Sequence, residues 1–326
     1  MARRPAGSSL AVAAIVMVAG VVMSARVQSA PSYAEVFYPS GGLRIQAYLY
    51  RPEGEGPFPA VIYNHGSRTG RERQSVPFEH IGRLLTSAGY VALVSERRGY
   101  GRSDGAAWPE DVGKNRGRTV ARLDEETDDV LAAVDFLRTQ AFVDASRLGV
   151  MGWSFGGIVT IFAVSRGNAF AVAVDQAGGA LTWNTNADVR SALTAAAQKS
   201  TTPTLLQVAE NDRTTDSITT VAKILDKRGI PHRMVIYPPF TATSPLSFGT
   251  GASGHMVFAE RGMSVWSADA LEFLGRYLAG RLPASFRTGD RPPGGRRPAR
   301  GAPARSRRRP AAPAGSAGGT GSPAAD

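Results

Sequence analysis

The chain has no cysteine. That excludes disulfides, thiolate-held zinc or iron–sulfur centres, and every hydrolase with a cysteine nucleophile. Histidine is almost as scarce: His65, His80, His232 and His255 are the four in the sequence, so any imidazole chemistry falls to one of them. Aromatic residues make up 8% of positions. Positive charge is abundant, but in the middle of the chain it is balanced by acidic residues. Of the formal +11, residues 284–326 carry a net +7 from nine Arg and two Asp, and Arg3, Arg4 and Arg26 supply three more, which leaves +1 for residues 31–283. A basic excess confined to the two ends does not describe a folded nucleic-acid surface, and no specific nucleic-acid partner is expected.

A long apolar run is also lacking. Leu10 to Met23 is apolar and rich in Ala and Val, follows Arg3-Arg4, and leads into the small residues Ser24 to Ala30. This is the layout of a secretory signal, and it is shorter than the roughly 20 residues a membrane span needs. Residues 1–30 are therefore expected to be a signal peptide and the protein to be secreted or periplasmic; an uncleaved membrane anchor is the alternative. From residue 284 onward Pro, Gly, Ala and Arg dominate, as in RPPGGRRPARGAPARSRRRP. So little apolar surface cannot offset the entropy of ordering, and residues 284–326 are expected to be a disordered tail. Its arginines suit contact with an anionic surface.

Residues 31–283 alternate β-rich runs with helical patterns, which predicts one doubly wound, mostly parallel sheet of about eight strands covered by helices. The strands are read at 35–38, 43–50, 60–64, 91–95, 148–151, 170–175, 204–209 and 233–237, the first two forming an antiparallel hairpin around Gly41-Gly42. Helices are read at 78–88, 119–138, 156–165, 185–198, 217–228 and 262–278. Residues 99–118 read as a surface loop. Residues 178–202 leave room for a small lid, with Trp183 either a wall of the site or ordinary packing.

The spacing G-x-S-x-G occurs twice, at Gly101–Gly105 around Ser103 and at Gly152–Gly156 around Ser154. With 37 glycines in the chain the pattern alone is weak, so context decides. Ser154 follows the strand LGVM directly and precedes the apolar helix GGIVTIF, the strand–turn–helix that presents a nucleophile in a tight turn. Ser103 has only Ala106-Ala107-Trp108-Pro109 behind it. Ser154 is the expected nucleophile.

A serine hydroxyl needs a base, and in this chain order the base comes last. His255 lies beyond the last strand, just ahead of the final helix. The carboxylate that orients it is expected after the strand 204–209. Asp212 leads, with Glu210 and Asp216 as local rivals, the latter reading more naturally as a helix-start cap, and Asp175 as a distant one. The developing oxyanion needs two amide donors. Phe155, next after the serine, and Ser67, in the Asn64-His65-Gly66-Ser67 loop, are the expected pair, with His65 holding that loop. No cofactor and no metal are called for.

These motifs resemble the α/β-hydrolase superfamily, in particular its dienelactone hydrolase and prolyl oligopeptidase-type branch. The likeness rests on NHGS, RRGYGRSDG, DDVLAAVDFL, GWSFGG, AENDR and GHMVFAERG, which span residues 36–280 in the family's order. It implies the α/β-hydrolase fold, a Ser-Asp-His triad and hydrolysis of esters or peptides, and it makes RRGYGRSDG a structural loop. Two departures narrow it. Dienelactone hydrolases use a cysteine nucleophile, which this chain lacks, and residues 31–283 leave no room for the propeller domain of prolyl oligopeptidases. A carboxylesterase acting on a small ester is the expected activity, with a small peptidase or acyltransferase, or a binding module whose working part is the tail, as alternatives.

Overall fold

The computed structural model describes residues 32–113, 115–241 and 252–279. The expected signal peptide and basic tail lie outside them. Eight strands form one sheet in the order β1-β2-β4-β3-β5-β6-β7-β8. They are β1 (Ala34–Ser40), β2 (Leu43–Tyr50), β3 (Phe58–Asn64), β4 (Val91–Ser95), β5 (Val143–Trp153), β6 (Val172–Gln176), β7 (Thr204–Ala209) and β8 (His232–Tyr237). β1 and β2 are the expected hairpin, and β2 also runs antiparallel to β4; every other pairing is parallel. The central strands are buried throughout: β4 and β6 are VALVS and VAVDQ without an exposed position. Apolar runs of this kind belong to strands covered on both faces.

The helices supply both covers. α1 (Glu79–Ser87) packs on β2 and β4, and α7 (Met263–Leu278) on β5, β6 and β7. α3 (Thr119–Arg138), α4 (Phe155–Ser165), α5 (Ala187–Lys199) and α6 (Asp216–Lys227) lie side by side in that order. Two glycines of β5 show that α7 and α4 cover opposite faces. A side chain at Gly149 would meet Leu274 and Leu278 of α7, whereas one at Gly152, three residues on and therefore on the other face, would run into the first turn of α4 and Thr160. α4 is apolar nearly all round, FGGIVTIFAVS, with nine of eleven residues buried, as a helix must be when it has neighbours on every side.

Three expectations shift. The 99–118 loop contains a short helix, α2 (Trp108–Asp111), with Pro109 in its first turn and Glu110 reaching back to the Ala107 amide at 2.8 Å. Residues 178–202 do not form a separate lid: after a short turn, Asn186 accepts the Val189 amide at 3.0 Å and α5 packs between α4 and α6. Trp183 is buried in the core rather than in the wall of the site.

Candidate active site

β5 delivers Ser154 to the carboxyl edge of the sheet, where ligands of open α/β sheets bind. Ser154 has φ 60° and ψ −118°, a backbone conformation that non-glycine residues rarely adopt and that is held only where surroundings enforce it. Its amide donates to the Gln176 carbonyl at 2.9 Å, and α4 begins at the next residue, Phe155. The flanking glycines follow from crowding. A side chain at Gly152 would run into the Gly156 carbonyl, and one at Gly156 into the Asn64 and His65 carbonyls.

Asp212 sits in a turn closed by its own amide on the Ala209 carbonyl, 3.1 Å, directly after β7. One carboxylate oxygen accepts the Arg213 amide at 2.6 Å; the other meets His255 Nδ1 at 2.7 Å. With Nδ1–H directed at Asp212, the imidazole keeps Nε2 for proton transfer. His255 is fully buried in a 3₁₀ turn (Ser253–Phe258) and is held from two directions. Trp153 Nε1 donates to its carbonyl at 3.1 Å, and Asn211, neighbour of Asp212, donates to Ser253 Oγ at 3.0 Å. The segments carrying nucleophile, acid and histidine thus brace one another.

The rivals fall elsewhere. Glu210 is exposed, with its backbone amide on the Tyr237 carbonyl. Asp216 is the first residue of α6 rather than its cap, and Thr215 holds the cap position. Asp175 is wholly buried at the end of β6, where its Oδ1 accepts the Gly178 amide at 2.8 Å and burial pushes its carboxyl up to about 7. His232, at the start of β8, places Nδ1 2.9 Å from the Ile230 carbonyl.

The loop after β3 lies against the nucleophile: a side chain at Gly66 would come within 3.1 Å of Ser154 Cβ. Ser67 and Phe155 both line the cleft of about 200 Å³ that contains Ser154 and His255. His65 is the anchor expected of it, fully buried, with Nδ1 2.7 Å from the Gly66 carbonyl and its ring stacked on Phe78. Burial, reinforced by Arg97 and Arg68, holds its imidazole well below the usual range and therefore neutral.

Sequence reasoning missed Arg97. Its guanidinium is fully buried, pairs with Glu126 at 2.7 Å and donates to the His65 carbonyl at 2.8 Å, so the RRGYGRSDG loop fixes the path of the loop beside the nucleophile. The available signal was a doubled arginine one residue after a buried strand. Ser103 is structural, as expected: its hydroxyl donates to the Glu96 carbonyl at 2.7 Å and accepts the Gln46 amide at 2.9 Å. Among the described residues no cluster of three acidic or histidine side chains is arranged to hold a metal ion.

The prolyl oligopeptidase family model matches residues 77–189, a segment that contains Ser154 and stops before Asp212 and His255. Among characterised sequences, the quorum-quenching protein AidA of Acinetobacter baumannii is 26% identical over 142 residues, 44% of this chain and 42% of AidA. Among solved structures, the acylaminoacyl peptidase of Pyrococcus horikoshii superposes with a TM-score of 0.58 at 20% identity, over 77% of this chain and 42% of the peptidase. A Klebsiella pneumoniae protein assigned as a dienelactone hydrolase gives 0.56 at 20% identity, over 75% of this chain and 98% of its own. The chain thus spans less than half the length of AidA and of the peptidase. The sheet order, the helices on both faces and these likenesses agree: the chain has the α/β-hydrolase fold and, over residues 77–189, is similar in sequence to the prolyl oligopeptidase family.

Proposed function

We propose that the protein is a serine carboxylesterase in which Ser154, His255 and Asp212 form the triad and the Ser67 and Phe155 amides form the oxyanion hole. The observation that carries this is the strained serine at the head of α4 in one cleft with a histidine whose Nδ1 is held by Asp212. Ser154 Oγ attacks the ester carbonyl carbon while His255 Nε2 takes the hydroxyl proton. The tetrahedral oxyanion is met by the two amides, of which Phe155, first in its helix, has no carbonyl one turn back to bind. The carbon–oxygen bond to the alcohol breaks and His255 returns the proton to the departing oxygen. Water, deprotonated by the same imidazole, then cleaves the acyl-enzyme to the acid and regenerates Ser154.

An ester is favoured over a peptide because the walls beside Ser154 are mostly apolar or ring-bearing, Phe155, Leu181 and Trp153 among them, whereas an extended peptide asks for main-chain hydrogen-bond partners. A p-nitrophenyl ester series from acetate to palmitate, run beside peptide anilides and fluorophosphonate labelling, tests the reading. Turnover of short esters and one label, on Ser154, is the expected result. Anilide turnover exceeding ester turnover moves the protein to the peptidases, and absence of both turnover and label removes the enzyme reading. Export through residues 1–30 and attachment to anionic surfaces through residues 284–326 belong to the same proposal. Deleting 284–326 is expected to release the protein from anionic vesicles and leave small-ester turnover as it was.

A further inference from the structure

β3 and β4 run parallel with Asn64 beside Ser95, so the residues that leave the two strands meet at the carboxyl edge of the sheet. From β3 comes the stretch 65–76, which carries Ser67 and reaches toward α1 without a helix or strand of its own. From β4 come Glu96 and Arg97, which grip that stretch on both sides of Ser67. Arg97 donates to the His65 carbonyl at 2.8 Å. Glu96 takes the Arg68 guanidinium in a two-pronged pair, Nη1 on Oε1 at 3.1 Å and Nη2 on Oε2, and Oε1 also accepts the Val76 amide at 2.6 Å. One carboxylate thus ties down both the residue after Ser67 and the far end of the loop.

Glu96 is fully enclosed and Arg68 nearly so. Burial pushes the Glu96 carboxyl up, against the pull of Arg68 and the Val76 amide. His65 Nε2 lies 3.6 Å from Oε2, beyond hydrogen-bond reach, and its imidazole is neutral, so the direct counter-charge is Arg68. A buried ion pair adds little stability over an apolar pair of the same volume, because both charges lose their water. What it supplies is direction, since a two-pronged guanidinium–carboxylate contact fixes angle as well as distance. Direction matters here because of the peptide being held. Among the described residues the Ser67 amide has no acceptor, as a donor kept for the oxyanion requires.

On the serine esterase reading, with the Ser67 amide in the oxyanion hole, we infer that Glu96 is a positioning residue for the reaction: acting through Arg68, its carboxylate aims the Ser67 amide at the developing oxyanion without touching the substrate. The nucleophile is held separately, its amide on the Gln176 carbonyl of β6, so loosening Glu96 moves the donor and not the serine. The consequence belongs to the transition state. An oxyanion uses the amide fully and a ground-state carbonyl uses it little, so kcat should fall while KM stays nearly constant.

Glu96→Gln in the full chain keeps the shape of the side chain but offers the guanidinium one acceptor in place of two. The expected kcat on a short ester is roughly 10- to 100-fold lower, less than the roughly 10²- to 10³-fold cost of removing an oxyanion donor, with KM within about twofold. A short alkyl trifluoromethyl ketone reads the oxyanion directly: Ser154 Oγ bonds to its carbonyl carbon, the hydroxyl proton passes to His255, and the carbonyl electron pair becomes the oxyanion. Its inhibition constant should rise by the factor by which kcat/KM falls. Rates are taken per site labelled by fluorophosphonate, well below Tm; a merely structural role would reduce the number of labelled sites and leave the rate per site alone. Arg68→Lys keeps the charge but loses the two-pronged contact, so it should act in the same direction, and the double variant should cost no more than about twofold beyond Glu96→Gln.

A kcat/KM per labelled site within about threefold of wild type overturns the inference, as do unchanged ketone affinity and losses that multiply in the double variant. If Glu96→Gln yields no soluble protein, Arg68→Lys decides by the same rate and ketone criteria. Unaltered protein that takes no label and turns over no ester removes the esterase reading, and this inference with it. Unaltered protein that does both, beside an unaffected Glu96→Gln, removes the inference alone.

Discussion

Two turns in this chain place a serine between glycines two residues to either side, and their surroundings make them opposites. Around Ser154 the backbone is driven to φ 60° and the side chain opens into a cleft with His255. Around Ser103 the hydroxyl is spent, donating to Glu96 and accepting from Gln46, in a loop whose Arg97 pairs with Glu126 of α3. The first turn stores strain where a reaction needs it; the second uses its polar groups to hold other parts still. The difference lies in the segment behind each serine: an apolar helix that must pack into the sheet, or a polar loop that must satisfy its own backbone.

The sharpest way to break the contrast is to remove each hydroxyl. Ser154→Ala is expected to abolish fluorophosphonate labelling and to cut ester turnover by roughly 10⁵ to 10⁶. Ser103→Ala should retain the label at Ser154. An adduct found on a peptide containing Ser103 would reverse the assignment. The next effect belongs to Asp212. Asp212→Asn leaves the fold in place but unsettles the His255 tautomer, lowering turnover at neutral pH by roughly 10³ to 10⁴, whereas exposed Glu210→Gln should change it little. If instead Glu210→Gln proves the damaging change and Asp212→Asn retains more than about a tenth of turnover, the acid assignment is wrong.

Much of this was legible in the sequence because the signals were of one kind, apolar runs bounded by glycine-rich turns. VALVS, TLLQVA and GGIVTIF read as a buried strand, a buried strand and a buried helix, and so they are. Chain order then ranked Ser154, Asp212 and His255, which the structure brings to one edge of the sheet. Buried charge was not legible. Arg97, Glu126 and Asp175 spell surface in any composition-based reading, yet all three are fully enclosed: Arg97 and Glu126 pair across 29 residues of chain, and Asp175 accepts the Gly178 amide in the turn after β6, arrangements that only the fold creates. The first residues of β5, Val143–Arg147, escaped for a related reason: Asp144, Ser146 and Arg147 bond among themselves and hide the strand's apolar pattern.

Asp175 separates the two turns again, through pH. The Ser103 loop rests on charges that are paired, while the Ser154 turn rests on a lone carboxyl against which Gly157 and Gly178 are packed. Burial raises that carboxyl to about 7. Unfolded, it titrates near the ordinary aspartate value of about 4. Between these values the folded chain holds a proton that the unfolded chain has released, so this group's contribution to stability is greatest at the acid end, falls as pH rises, and is lost above about 7. Asp175→Asn removes the titration. Relative to wild type, the variant should gain on the order of 3 kcal/mol of stability on going from pH 5 to pH 8, read as a Tm difference that widens with pH. Parallel Tm profiles would show that the carboxyl titrates normally.

The smallest expected effect is on Ser103, and it tests whether that turn is only structural. Ser103→Ala leaves the buried Gln46 amide without its acceptor and the Glu96 carbonyl without its donor. An unmet buried polar group costs about 1–3 kcal/mol, which for a domain of this size lowers Tm by several degrees. Because the hydroxyl touches neither Ser154 nor the cleft residues, kcat/KM measured well below Tm should remain within about twofold of wild type. Ser103→Thr keeps the hydroxyl and adds one methyl group to a buried position, so it should recover part of the lost Tm. A large loss of kcat/KM at unchanged Tm would place the loop in catalysis, through the Arg97 contact that runs from it to the His65 carbonyl. A loss of Tm alone, partly restored by threonine, is what a turn that spends its hydroxyl on its neighbours must give.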